Sequence, residues 1–405
     1  MFLLVRSTLI KTSSLFLFFI STISLAQQKN QDSVGKWDFS YGSKGLEIVS
    51  PDKNYALNVQ SRFQFRFATP NDQDPISFDD FNDENNTAFK INRARLKVGG
   101  HAYKNWIQYY WEYDFSNSSL LDFRVMIERW EWLKLKIGQW KVEYSRERRI
   151  SSGEQQLVDR SILNRPFTID RQQGLEVYGR LKNNGFLDFS YWLAVLTGTG
   201  RGSSTNDDNH LMYFGRLQWN LLGEDIGFES SDLEFHETPE AIIAVAAVTN
   251  RSLYTRFSTS GGGELIGYED AENGQYRINQ INFETAFVYQ GFSWQSEFHT
   301  KRIIDKLNNN TSTTLRGYYV QAGLLGNSIA SWWPKPLEIA ARYAHYVPDH
   351  DILQNNENEF SVGLNWFFKE HKNKLTVEFS KFDYETVDGL VDNTSRFRIQ
   401  WDISF

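Results

Sequence analysis

From Tyr55 to the final residue the chain is built of segments in which apolar and polar side chains alternate one by one. Successive side chains of a strand point to opposite faces, so a period of two predicts strands rather than helices. Sixteen such segments are read: 55–67, 88–102, 105–115, 120–129, 132–143, 172–181, 186–197, 210–220, 241–249, 276–289, 292–302, 315–325, 337–346, 359–368, 375–384 and 395–405. Each is about ten residues long, the length a tilted strand needs to cross a bilayer. The last is the plainest. Phe397, Ile399, Trp401, Ile403 and Phe405 alternate with Arg398, Gln400, Asp402 and Ser404, which gives one face suited to lipid and one suited to water.

The connections sort by length. After even-numbered segments several are tight: Tyr103-Lys104, Lys182 to Gly185, Gln290-Gly291 and Lys369 to Lys374. After odd-numbered segments several are long and polar: 68–87, 144–171, 198–209, 250–275, 303–314 and 347–358. Three break the rule, 116–119 by being short and 221–240 and 326–336 by being long. Outer-membrane barrels have short periplasmic turns and long external loops, whereas a soluble sandwich has no reason to sort loops by parity. The expected fold is therefore all-β: a transmembrane antiparallel β-barrel of about sixteen strands over 55–405. One external loop, 144–171, is large enough to fold into the pore.

Composition changes the picture in three ways. Aromatic residues make up 16 % of the chain, yet mean hydropathy is only −0.50. A polar-in, apolar-out barrel reconciles the two, since every second strand residue faces a wet lumen. The absence of Cys excludes disulfides, thiol nucleophiles and Cys-ligated metal centres. Arg6 and Lys11, the apolar stretch from Leu15 to Leu25 and the small-x-small Ser24-Leu25-Ala26 have the form of a secretion signal, 1–26, cut after Ala26. That leaves 27–54 as an N-terminal periplasmic segment. The longest later apolar run is Ala241 to Val248, so any membrane crossing is by strands. The expected location is the outer membrane of a Gram-negative bacterium, among lipid and lipopolysaccharide.

Register decides where the basic residues point. Arg93, Arg95 and Lys97 share one face of segment 88–102, opposite Ala94, Leu96 and Val98. Placing Arg or Lys against lipid near midplane costs about 2–4 kcal/mol each. Three together would cost roughly 6–12 kcal/mol, comparable to the stability of a domain. The basic face is therefore expected to look into the lumen. The same logic turns Arg62, Arg66, Arg124, Lys134 and Lys136 inward. Residues 88–182 hold 18 of the 43 basic and 11 of the 50 acidic residues, net +7 against −14 for the rest. Loop 144–171 adds Arg146, Arg148, Arg149, Arg160 and Arg165, with Arg171 at its exit. Clustered arginines in a confined aqueous channel raise local anion concentration, and the planar guanidinium matches two phosphate oxygens at once. A plainer reading pairs these cations with Glu112, Asp114, Asp122, Glu128 and Glu147, so that they only brace the wall. Both can hold together.

Several motifs then resemble a known family. Asn92-Arg93-Ala94-Arg95-Leu96-Lys97-Val98-Gly99-Gly100 resembles the RRARL-x-V-x-G strand of the phosphate-selective porin O and P family. Ile137-Gly138-Gln139-Trp140-Lys141 is similar to its IGQ-F/W-K strand end. Glu147, Ser151-Ser152, Asp159-Arg160-Ser161 and Arg171 to Leu175 follow the order of its constriction loop. Ala340 to Tyr343 and Val362 to Trp366 look like its late strands. The resemblance runs from about Tyr55 to Phe405. It implies a sixteen-stranded, trimeric outer-membrane porin with an anion path lined by arginine and lysine. Carried over residue by residue, it implicates Arg93, Arg95, Arg148, Ser151, Ser152 and Arg160, the serine hydroxyls donating to phosphate oxygens beside the cations. Asn92 stands where the family often has Arg, and the acidic excess elsewhere weakens a simple phosphate-channel picture.

The remaining signals add little. Gly198 to Gly202 has no Lys in a P-loop frame and reads as an external loop. The acidic run Asp72, Asp74, Asp79, Asp80, Asp83 and Glu84 reads as a solvated loop that could bridge divalent cations. The seven His lack metal-binding spacing. The function expected is passive, anion-biased diffusion of phosphate or phosphorylated solutes, without enzymatic activity, cofactor, metal or nucleic-acid partner. The alternatives are a general diffusion porin without phosphate selectivity, an outer-membrane binding or receptor barrel, and a barrel enzyme. No G-x-S-x-G-type motif supports the last.

Overall fold

Each of the sixteen alternating segments is a strand in the computed structural model, which describes residues 35–42, 44–73, 87–183, 187–203, 205–258, 261–330, 332–352 and 354–405. The expected signal at 1–26 and Asp74, Asp79, Asp80, Asp83 and Glu84 lie outside the described residues. A hairpin, β1 (Asp38–Gly42) and β2 (Gly45–Val49), precedes the barrel. The barrel strands are β3 (Ala56–Thr69), β4 (Ala88–Ala102), β5 (Lys104–Asp114), β6 (Ser119–Trp130), β7 (Leu133–Lys141), β8 (Arg171–Lys182), β9 (Asp188–Leu196) and β10 (Met212–Leu222). They continue with β11 (Glu240–Ser252), β12 (Tyr276–Tyr289), β13 (Phe292–Asp305), β14 (Ser312–Leu325), β15 (Leu337–Val347), β16 (Glu357–Lys369), β17 (Asn373–Glu385) and β18 (Val391–Ser404).

Consecutive strands pair antiparallel, and β18 returns to β3 with Phe397 opposite Thr69 and Ser404 opposite Arg62. That closure removes every edge, the condition for a sheet to sit in hydrocarbon. Only the upper half of β3 is covered by β18. Its lower half, Ala56 to Val59, pairs with Val49 to Leu46 of β2. The hairpin thus continues the wall where the last strand ends. Its two five-residue strands alternate too briefly to stand out in the sequence.

The two faces differ as register demands. On β7 Ile137 is 59 % exposed while its neighbour Lys136 is 5 %. Phe123, Val125 and Ile127 of β6 are likewise exposed outward. Arg124 between them points in and stacks over the Tyr110 ring. One end of the barrel carries the tight connections at Tyr103, 131–132, 290–291 and 370–372, and the other the long ones. The exceptions expected from the sequence are present: 115–118 is short, and 223–239 and 326–336 are long.

The interior is less watery than a polar-in pattern suggests. The connection 142–170 lies inside the barrel, with helical turns α1 (Arg146–Arg149) and α2 (Asn164–Phe167). Its Val142, Tyr144, Ile162, Leu163, Phe167 and Ile169 are buried against inward apolar side chains of the wall, among them Phe214, Val248, Ile278, Tyr319 and Tyr346. Each fully buried side chain of this size contributes about 1.5–3 kcal/mol, which holds a loop inward that solvation alone would leave outside.

Candidate functional site

Polar anchors complete what the apolar packing begins. Three buried strand carboxylates accept backbone N–H groups of the inward loop. Glu297 accepts from Glu147 at 2.9 Å, Glu378 from Val158 at 2.7 Å and Glu359 from Ile162 at 2.9 Å. Strand amides satisfy loop carbonyls in return: Asn282 donates to Tyr144 and Asn365 to Gln156. Arg342, fully buried, donates to Glu359 at 2.5 Å and to the Asp159 carbonyl at 3.0 Å. The loop is thus stitched to β12, β13 and β15–β17, on the side away from β4–β8. Gln64 and Arg62 of β3 hold its tip through Ser152, and Arg66 reaches Val158 and Asp159.

A second segment meets it from the tight-turn end. Connection 223–239 folds inward, with Ser230, Ser231 and Asp232 buried. The buried Arg146 guanidinium donates to the carbonyls of Gly227 at 2.6 Å and Glu229 at 2.7 Å. Ser230 donates to the Glu154 carbonyl and Ser231 to Glu338. This explains why 223–239 breaks the length rule: it supports the constriction from below.

Partial exposure is kept by Arg93, Arg95, Lys97, Arg124, Lys134 and Lys141 on the β4–β7 wall, and by Arg148, Arg149 and Ser151 on the loop. Arg93 donates to Gln64 at 2.5 Å. Lys97 makes no ion pair within 4 Å among the described residues. Lys134 lies 5.9 Å from the Tyr178 ring centroid. Lys141 donates to the carbonyls of Arg148, Arg149 and Ile150, drawing the loop backbone toward the wall.

Carboxylates stand behind these cations, as the bracing reading expected for three of five. Arg95 pairs with Glu112 at 2.9 Å and Asp114 at 3.0 Å, and Arg124 with Asp122 at 2.8 Å. Arg148 pairs with Asp170 at 2.7 Å and Arg149 with Glu143 at 3.2 Å. In each pair the cation is the more exposed partner, most clearly for Arg149 at 30 % against 2 % for Glu143. The Arg148 and Arg171 guanidinium groups hold the Asp170 carboxyl down to about 2 against burial. Glu128 and Glu147 have other partners. Glu128 accepts from the Tyr178 hydroxyl, and Glu147 from the backbone and hydroxyl of Ser161.

The other sequence-derived site residues are buried, all but the half-buried Arg165. Arg62 pairs with Asp402, Arg66 with Asp72 and Asp159, Lys136 with Glu143 and Glu176, and Arg171 with Asp122. Arg160 donates to the carbonyls of Glu147, Arg148 and Ile150. Burial and the neighbouring Arg148 pull its guanidinium down to about 9. Ser152 is buried and accepts from Arg62. Arg165 pairs with Glu357 on the opposite wall at 2.7 Å. Sequence reasoning passed over the anchors Glu297, Glu359, Glu378 and Arg342. Their signal was there, as charged residues at inward register on the late strands.

A closed sixteen-stranded barrel with an inward loop defines a porin, an outer-membrane channel. The chain belongs to the phosphate-selective porin O and P family, whose model matches residues 62–405. No curated protein matches by sequence. Among solved structures it is similar to an anion-selective porin from Comamonas acidovorans (TM-score 0.56, 9 % identity, covering 87 % of this chain and 100 % of that one). It is also similar to Salmonella typhi OmpF in complex with daunomycin (TM-score 0.55, 10 % identity, 89 % and 100 %). A third similar structure is the channel DcaP of Acinetobacter baumannii (TM-score 0.53, 12 % identity, 88 % and 99 %). At these identities the likeness is one of fold.

Proposed function

We propose that this porin gives passive, anion-biased diffusion of small anions, phosphate and phosphorylated solutes among them, through the slit between loop 142–170 and the β4–β7 wall. The observation that carries the reading is the ordering within the ion pairs. Four cations, Arg95, Arg124, Arg148 and Arg149, face the accessible side while their carboxylates are withdrawn behind them. A solute in the slit meets donors first. Lys97, with no ion pair within 4 Å among the described residues, adds a further amine donor, and the Ser151 hydroxyl another. Field lines confined between low-dielectric walls raise the local anion concentration. The fold neighbour from Comamonas acidovorans is described as anion-selective, which supports the same sign. We further propose a secreted precursor cut after Ala26, a homotrimer in the outer membrane and contact with lipopolysaccharide; one fold neighbour from Vibrio cholerae was solved as a trimer.

Reversal potentials in planar bilayers under a salt gradient test the reading. The expected sign is anion-selective, with Lys97→Ala and Arg149→Ala each moving the potential toward zero. Phosphate is expected to block chloride current, less strongly in Arg93→Ala. Cation selectivity of the unmodified protein overturns the proposal. Anion selectivity without phosphate block leaves a general anion porin in its place.

A further inference from the structure

The register that turns most strand cations into the lumen leaves four arginines on the outer wall. Arg251 of β11, Arg277 of β12, Arg302 of β13 and Arg316 of β14 alternate with buried neighbours, among them Asn250, Ile278, Lys301 and Leu315. Arg277, Arg302 and Arg316 are exposed and Arg251 is half-buried. All four stand on consecutive strands, at the end of the barrel that carries the long loops. The cost of charge on a lipid-facing wall falls steeply from midplane toward the interface, so strand ends are where arginines can face outward.

Strand pairing makes the four one patch. Arg251 lies directly opposite Arg277. Arg302 lies opposite Asn279, one diagonal step from Arg277, and Arg316 lies opposite Thr300, one diagonal step further. Diagonal neighbours stand about 7–8 Å apart, close enough for two guanidinium groups to share one phosphate. Like charges directly opposite each other destabilise a sheet, and nothing here offsets them: none of the four arginines has an ion pair within 4 Å among the described residues. Arg251 donates to the Gly274 carbonyl at 2.7 Å and Arg302 to the Ser312 hydroxyl at 3.1 Å. Arg277 and Arg316 have no hydrogen-bond partner among the described residues. By contrast Lys381, on the outer face of β17, pairs with Asp383 at 3.0 Å. Asn279 adds a donor to the patch, because its oxygen accepts from the Thr249 hydroxyl at 2.8 Å and its amide hydrogens are left to donate.

The patch is continuous with the apolar band. Toward the tight turns the same outer face carries Val245, Ile281, Phe283 and Phe298, all exposed, with Phe283 opposite both Val245 and Phe298. This continuity selects the occupant. A free anion meets the guanidinium groups and leaves the apolar rungs bare. An acidic polypeptide does the same. An acylated molecule with phosphate on its headgroup meets both, and the guanidinium fork matches two phosphate oxygens at once. We propose that the outer face of β11–β14 holds a phosphorylated lipid of the outer leaflet, of the lipid A class. Its phosphates lie on Arg277, Arg302 and Arg316, and its acyl chains run along Ile281, Phe283 and Phe298. The site rests on the reading that the long loops face outward, and it gives the lipopolysaccharide contact proposed above a definite place.

Native mass spectrometry tests this on the full-length protein, washed free of lipid in detergent and titrated with phosphorylated lipid A. The expected result is saturable binding of a single lipid per barrel. Binding is expected to be weaker by about tenfold or more for dephosphorylated lipid A, and by a similar factor in the double variant Arg302→Gln with Arg316→Gln. Both side chains are exposed, and heat-modified gel mobility checks that the barrel is intact. Lys381→Gln, elsewhere on the outer face, is expected to leave binding unchanged, and inorganic phosphate is expected not to displace the lipid. Equal affinity for the two lipid forms, indifference to the double variant, an equal loss in Lys381→Gln, or displacement by inorganic phosphate overturns the proposal. Mass reads the lipid whatever the channel conducts and whichever way it is inserted, so failure here and failure of the channel reading are seen separately.

Discussion

Glu359→Gln tests how the inward loop is held. The Glu359 carboxylate accepts four hydrogen bonds: two from Arg342 at 2.5 and 3.0 Å, one from the Ile162 backbone at 2.9 Å and one from the Ser361 hydroxyl at 2.7 Å. Both ionic partners are buried. The amide keeps the volume but removes the charge and turns one acceptor into a donor. Removing one partner of a buried ion pair costs about 3–5 kcal/mol. Arg342 retains the Asp159 carbonyl at 3.0 Å, so the lower end, about 3 kcal/mol, applies. That lowers the ratio of seated to released loop by about a hundredfold. Trypsin reads the release, because Arg146, Arg148, Arg149 and Arg160 lie in the loop. Single-channel conductance reads it too, as a larger and noisier open level. Glu224→Gln is the control. Its exposed pair with Lys182 is worth less than about 1 kcal/mol and should change neither readout. A folded Glu359→Gln barrel with unmodified conductance and protease resistance would refute the anchoring argument.

Three further outcomes follow from the geometry. Gly138 has φ +126°, and a Cβ there would sit 2.1 Å from the Phe123 carbonyl oxygen, so Gly138→Ala is expected to lower stability by more than about 1 kcal/mol, read as a lower temperature for the shift in heat-modified gel mobility. Gly153→Ala places a methyl 2.6 Å from the Arg62 guanidinium carbon; it should dislodge Arg62 from Asp402 and loosen the loop tip, seen as earlier trypsin cleavage. Burial and the neighbouring Glu297 push Glu147 up to about 7 from 4.5, so the folded loop favours its protonated form. Its seat is then firmest in acid and loses roughly 3 kcal/mol as pH rises from 4.5 to 7, levelling off above; protease resistance against pH should follow that slope, and Glu147→Gln should flatten it.

The legibility of the wall and the opacity of its interior have one cause. Strand pairing is local and periodic, so every barrel strand from β3 to β18 was readable from alternation, and the penalty for charge in lipid oriented Arg93, Arg95 and Lys97 without any coordinates. The hairpin β1–β2 was too short for a period to show. Contacts inside the lumen are made between residues far apart in the chain. Glu359 meets Ile162, Glu378 meets Val158 and Arg146 meets Gly227, and no spacing announces such pairs.

The sequence alone determined that this chain forms a closed barrel with a basic face turned inward, because the choice between lipid and water is made residue by residue. Only the tertiary structure decided which of those cations stay available. Arg62, Arg66, Arg160 and Arg171 are consumed in holding the loop and wall, while Arg93, Lys97 and Arg149 keep a side open to solvent. Whether a guanidinium is a brace or a binding group depends on which carboxylate or carbonyl the folded chain brings to it, and that is a property of the packing.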